Sequence, residues 1–144
     1  MTDIEHKNLD LKGLIDFARD FAIGLNAGDC VCLNGDLGAG KTELSRAIIR
    51  HLSIPDAEVP SPTFTLVQTY TTKGPEIWHF DLYRLKSDEE LEEIGWFEDI
   101  ENRITLVEWP DRLGRHLPKA AITLDISIND DETRSITVTK GATA

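Results

Sequence analysis

Apolar positions recur at helical spacing over residues 10–26, where Leu11, Leu14, Ile15, Ala18, Phe21, Ala22 and Leu25 form one stripe. A stripe of this period buries one face of an amphipathic helix. Asp10 stands where an N-cap is needed, and Gly28 is the expected stop. The stretch around Ile4 predicts a short edge strand. Cys30-Val31-Cys32-Leu33 is a compact apolar run that reads as a strand, and Leu44-Ser45-Arg46-Ala47-Ile48-Ile49 returns to helical spacing. Pro55, Pro60 and Pro62 then punctuate a loop over residues 52–62.

The second half of the chain changes period. Two strand-like runs, 63–71 and 76–82, are joined by Thr72-Lys73-Gly74-Pro75 and predict an antiparallel hairpin. In the second run Trp78, Phe80 and Leu82 share one face, and His79, Asp81 and Tyr83 share the other. Ser87-Asp88-Glu89-Glu90 has the form of a capping box, so a helix is expected from Ser87 to about Glu93. Ile104-Thr105-Leu106-Val107 is a β-branched strand ending at Glu108, and Pro110 blocks its continuation. Alternating runs over 121–128 and 135–140 predict a closing hairpin. Strands interleaved with helices imply an α/β fold, and 144 residues suit one domain spanning 1–144.

Charge narrows the classes of partner. A net charge of −11 argues against a direct grip on nucleic acid, which needs clustered Lys and Arg. Any RNA connection is expected to run through a partner protein. The acids bunch at Asp88-Glu89-Glu90, Glu92-Glu93, Glu98-Asp99 and Glu101, as a solvated face or as a docking surface for a basic partner. The first five residues show neither a basic leader nor an apolar stretch, so no secretory signal is expected. No run approaches the roughly 20 apolar residues of a spanning helix. Cys30 and Cys32 fall on one strand face, where pairing is geometrically poor, and buried reduced thiols in a cytoplasmic protein are expected.

The candidate chemistry lies between the Cys30 strand and the helix behind it. Gly35-Asp36-Leu37-Gly38-Ala39-Gly40-Lys41-Thr42 is a complete G-x-x-x-x-G-K-[ST] pattern. Such a loop turns consecutive backbone N–H groups toward one point, and the helix directs its positive end to the same point. Lys41 is expected to reach the β- and γ-phosphates and Thr42 to complete the coordination of magnesium. Hydrolysis needs in addition a carboxylate at the end of a neighbouring strand. Glu108 is the better candidate, and Asp81 is the other, on a strand expected to run antiparallel. The alternative for each acid is a strand-end carboxylate that caps a neighbouring helix or faces water. His79 shares a face with Asp81 and is read as orienting it, touching a phosphate, or serving structure alone. Ser61-Pro62-Thr63-Phe64 closes the long loop where a γ-phosphate switch would lie, which makes Thr63 a candidate sensor. No Asn-Lys-x-Asp occurs anywhere, so ATP is favoured over GTP.

Taken with Ser61-Pro62-Thr63-Phe64-Thr65-Leu66-Val67, His79-Phe80-Asp81-Leu82-Tyr83-Arg84-Leu85, Glu90-Leu91-Glu92 followed by Gly95, and Val107-Glu108-Trp109-Pro110, the P-loop resembles one family. That family is the bacterial ATPase TsaE, also called YjeE, of tRNA threonylcarbamoyladenosine biosynthesis. The resemblance covers about residues 30 to 112. It implies a small P-loop domain with a mixed parallel and antiparallel sheet flanked by helices. It implies ATP as substrate, magnesium as cofactor, and action with a TsaB–TsaD pair that transfers threonylcarbamoyl to a tRNA adenosine, so that tRNA is met through partners and no membrane is involved. By match to the family's motifs, Gly35, Leu37, Gly38, Ala39 and Gly40 look like the phosphate cradle and Lys41 like its clamp. Thr42 and Glu108 look like the magnesium ligands, Asp81 a second acid of the active centre, and Thr63 a switch residue. Trp109 looks important at the site or the partner, and Asp10 looks close to the adenine.

Two other readings stay open on the residues. A small-molecule kinase would use Arg112 and Arg115 as a phosphate-closing lid, although the chain offers no inserted lid segment. A nucleotide-gated binding module would use ATP to order the Pro-rich loop, with negligible turnover.

Overall fold

The elements run β1 (Ile4–Leu9), α1 (Leu11–Ile23), β2 (Cys30–Asn34), α2 (Lys41–Leu52), β3 (Val67–Tyr70), β4 (Ile77–Asp81), α3 (Asp88–Glu93), β5 (Ile104–Glu108), β6 (Ile122–Ile128) and β7 (Arg134–Lys140). A 3-10 segment, Pro110–His116, follows β5. They are taken from a computed structural model that describes residues 4–35, 40–53 and 66–141. Strand order is β1-β7-β6-β2-β5-β4-β3. The middle is parallel, with β2 between β5 and β6 and β4 beside β5, while β1–β7, β6–β7 and β3–β4 are antiparallel. The sheet is therefore mixed, as expected, with β1 on its edge.

Cys30 to Leu33 are buried at four successive positions, because the central strand is covered on both faces. On one face Val31, Leu33, Ile77, Ile104 and Leu106 pack with α1 and α2. On the other, Cys30 and Cys32 lie with Phe80, Leu82, Leu91 and Trp96. Both thiols are buried and free. The Cys32 contact, reinforced by burial, holds the Cys30 thiol well above its ordinary pKa. Among the described residues, no helix is long and apolar enough to cross a membrane.

Three local expectations change. Helix α1 stops at Ile23, with Gly24 as its C-cap, rather than running to Asn26. The Asp29 carboxylate accepts the Asn26 N–H at 2.8 Å and so draws the chain into a turn. Gly28 belongs to that turn at φ +92, where a Cβ would stand 3.1 Å from the Glu101 carbonyl. The start of α3 is only half a capping box. Ser87 makes no side-chain cap, and Glu90 reaches past it to the Lys86 N–H at 2.8 Å. Finally, β4 is antiparallel to β3 but parallel to β5, in a register that sets Asp81 beside Glu108. The hairpin fixes only one of its two neighbours. The expected hairpin and loop positions at 54–65 lie outside the described residues.

Candidate nucleotide site

Asn34 ends the central strand, and Gly40 opens α2 at φ 108 and ψ 17, a backbone that L side chains avoid. Lys41 and Thr42 are the first two residues of this 12-residue helix. Their amides belong to the group that has no partner within the helix, and the helix dipole adds positive potential there. Leu37, Gly38 and Ala39, expected to cradle phosphate, lie outside the described residues, as does Thr63.

Lys41 is buried, although its charge would normally favour water. Nζ donates to the Gly35 carbonyl at 2.7 Å and stands 3.4 Å from the centre of the Trp109 ring. Both contacts stabilise a cation: one is a charge-assisted hydrogen bond, the other lies on the negative face of the indole. Trp109 reaches this place because its backbone is left-handed, φ 61 and ψ 53. A bulky residue there, ahead of a proline that disfavours helical geometry, carries strain of about 1–3 kcal/mol. The Tyr83 ring packs on its indole at 5.0 Å between centroids.

Glu108 lies at the level of Leu33 on one side and of Asp81 on the other. Only 2% of it is exposed. Oε1 accepts the Thr42 hydroxyl at 3.1 Å, and Oε2 meets His79 Nε2 at 2.7 Å. Of the readings open for His79 (orienting Asp81, touching a phosphate, or serving structure), none named Glu108, the carboxylate its ring meets. Its Nδ1 is buried and finds no hydrogen-bond partner among the described residues, a cost of about 1–3 kcal/mol. Asp81 is buried, which raises its carboxyl pKa above the ordinary value. The Tyr83 amide, donating to Oδ1 at 3.1 Å, works against that rise, and the neighbouring Glu108 charge adds to it.

Asp10 caps α1, its carboxylate accepting the Gly13 N–H at 2.7 Å. With Leu9, Leu11, Gly40, Glu43 and Arg134 it also lines a cavity of about 270 Å³ beside the start of α2. Asp10 thus shares a cavity with Gly40, its carboxylate already engaged by the Gly13 N–H. Arg134 arrives from β7, more than ninety residues along the chain, and its Nε would lie 3.3 Å from a Cβ on Gly40. No local pattern in the sequence points to it. Arg112 and Arg115 are exposed on the 3-10 segment, and Arg115 lies 4.0 Å from Asp88.

Among the described residues, no cluster of three or more His, Cys, Asp or Glu is arranged to hold a metal alone. Magnesium bound with a nucleotide does not need one. It takes one or two protein oxygens and leaves its other positions to phosphates and water. Thr42 Oγ1 and Glu108 Oε1, hard oxygen donors side by side, fit that requirement.

Residues 9–136 match the family model described as "Threonylcarbamoyl adenosine biosynthesis protein TsaE". A Rickettsia bellii protein named tRNA threonylcarbamoyladenosine biosynthesis protein TsaE is 42% identical over 124 residues, covering 86% of each chain. A Haemophilus influenzae protein of the same name is 47% identical over 103 residues, 70% of this chain and 64% of that one. The crystal structure of Bacillus subtilis YdiB aligns with a TM-score of 0.79 at 26% identity, covering 98% of this chain and 87% of that one.

Proposed function

The chain belongs to the TsaE family of tRNA threonylcarbamoyladenosine biosynthesis, and we propose that it acts there as a magnesium-dependent ATPase working with a TsaB–TsaD pair. The observation that carries this reading is the Thr42–Glu108 contact of 3.1 Å at the start of α2. It joins the P-loop hydroxyl to a strand-end carboxylate across 66 positions of sequence.

The α2 N-terminus and Lys41 bind the phosphates. Lys41 exchanges the Gly35 carbonyl for phosphate oxygens, while the Trp109 face keeps its ammonium from water. Thr42 and Glu108 hold the magnesium ion, which when bound offsets phosphate charge as it builds during transfer. The raised proton affinity of Asp81 suits it to orient the attacking water and to receive its proton. The Tyr83 amide occupies Oδ1, so Oδ2 is the oxygen assigned to that proton. The cavity beside Gly40 and Asp10 takes the nucleoside end, with ATP preferred. Residues 1–144 form one P-loop ATPase domain in this reading, acting in the cytoplasm. With a net charge of −11, the chain meets tRNA through its protein partners. Hydrolysis by the isolated chain is slow, because partners complete the positioning.

Glu108→Ala tests the assignment. The variant is expected to bind ADP without metal as the native chain does and to lose magnesium-dependent hydrolysis. Full turnover by that variant refutes the mechanism.

A further inference from the structure

We propose that His79 is a positioning residue for the Glu108 carboxylate, fixing its rotation so that Oε1 is presented together with the Thr42 hydroxyl. The proposal rests on the reading of Thr42 and Glu108 as the magnesium-binding pair. A carboxylate at the end of a strand can rotate about its last bond and offer either oxygen. Among the described residues each oxygen has one partner, from a different element: Thr42 of α2 on Oε1 at 3.1 Å, and His79 of β4 on Oε2 at 2.7 Å. With Oε2 held, only Oε1 remains for the P-loop.

The geometry is specific to this role. His79 pairs across the ladder with Leu106, two residues short of Glu108, so its ring reaches along the sheet toward the strand ends. Asp81 is two residues further on the same face, yet its Oδ1 is taken by the Tyr83 amide, and His79 Nε2 goes to Glu108. His79 is fully buried, and its Nδ1 has no partner among the described residues. Among the described residues, the one hydrogen bond of its ring is that to Glu108. The Nε2–H tautomer supplies the donor that the carboxylate accepts and leaves Nδ1 with only a lone pair. Metal-binding carboxylates are commonly held by such outer partners, whose removal weakens metal binding while sparing the ligands themselves.

The test is ADP binding by calorimetry, first in EDTA and then across a magnesium titration, for the native chain, His79→Leu, His79→Asn, His79→Gln and Glu108→Ala. Gln places an N–H near the position of Nε2–H, whereas Asn falls short of it and Leu supplies none. The His79 variants are expected to bind ADP in EDTA as the native chain does, and Glu108→Ala to lose the response to magnesium. The half-saturating magnesium concentration should rise about 10- to 100-fold in His79→Leu and His79→Asn and stay within about threefold of native in His79→Gln. Thermal melts report folding, and if His79→Leu does not fold, the Gln and Asn pair carries the comparison.

A native magnesium requirement in His79→Asn, with Glu108→Ala defective, overturns the positioning role and leaves the ligand reading intact. Equal loss of ADP affinity with and without metal shows a structural role and also overturns it. ADP binding by the native chain that ignores magnesium overturns the Thr42–Glu108 reading and this proposal together.

Discussion

Arg103→Leu should destabilise the fold severely, because the guanidinium organises the chain just before the Glu108 strand. Arg103 is 2% exposed and donates to the carbonyls of Gly95 at 3.0 Å, Glu98 at 2.5 Å and Trp96 at 2.6 Å, and to Thr105 Oγ1 at 3.0 Å. It also stacks 4.4 Å from the centre of the Trp78 ring. Burial lowers its pKa to about 10, so it remains a cation at neutral pH. Leucine leaves three carbonyls without their donor, each worth about 1–3 kcal/mol when buried. Two effects reduce the total. Water can reach the carbonyl of the exposed Glu98, and the desolvation of the guanidinium is no longer incurred. A net loss of about 3–5 kcal/mol follows, out of the roughly 5–15 kcal/mol typical of a domain. At roughly 3 °C per kcal/mol for this length, the melting temperature should fall by about 10–15 °C. Arg103→Lys should recover little, since one ammonium cannot span three carbonyls or stack as a plane. Differential scanning calorimetry and urea unfolding measure both variants. A leucine variant melting within about 2 °C of native would show that the network contributes little to stability.

Asp81→Asn should raise thermal stability at neutral pH while lowering hydrolysis about 100-fold or more. The folded carboxyl pKa is raised, so the native state holds its proton more tightly than the unfolded chain, and stability falls as pH rises through that window. Asparagine has no charge to bury, so its advantage should shrink as pH is lowered toward the ordinary carboxylate value. Melts across pH read this, and a variant less stable than native at pH 7 contradicts it. Gly40→Ala should cost about 1–2 kcal/mol from its positive φ and weaken ADP binding, because the start of α2 must shift. Thermal melts and an ADP titration check it, and native behaviour in both would remove the case for a required glycine.

Much of the site could be read from the sequence because it is local. The P-loop is eight consecutive residues between an apolar run and a helical stripe, and Glu108 ends a second apolar run. What could not be read is which strands become neighbours. The β3–β4 hairpin is visible as a turn between two runs, and that visible pairing suggested an antiparallel β4, whereas its parallel partner β5 lies more than twenty residues away. Spacing along one strand likewise offered His79 only Asp81, a phosphate or a structural role, while its bond runs across the ladder to Glu108. Arg134 reaches Gly40 from the last hairpin, and Arg103 turns inward from a stretch of acids that otherwise reads as surface. The α1 boundary was missed for a smaller reason. Two glycines could end the helix, and the Asp29 side chain favours the earlier one.

The most direct test of the account is magnesium-dependent ATP hydrolysis by the purified chain, alone and with a matched TsaB–TsaD preparation, with Lys41→Ala as control. The account predicts slow hydrolysis alone, a sharp rise with the partners, and loss of both in the variant. Hydrolysis unchanged by the partners, or none in either condition despite ATP-dependent complex formation, would contradict it.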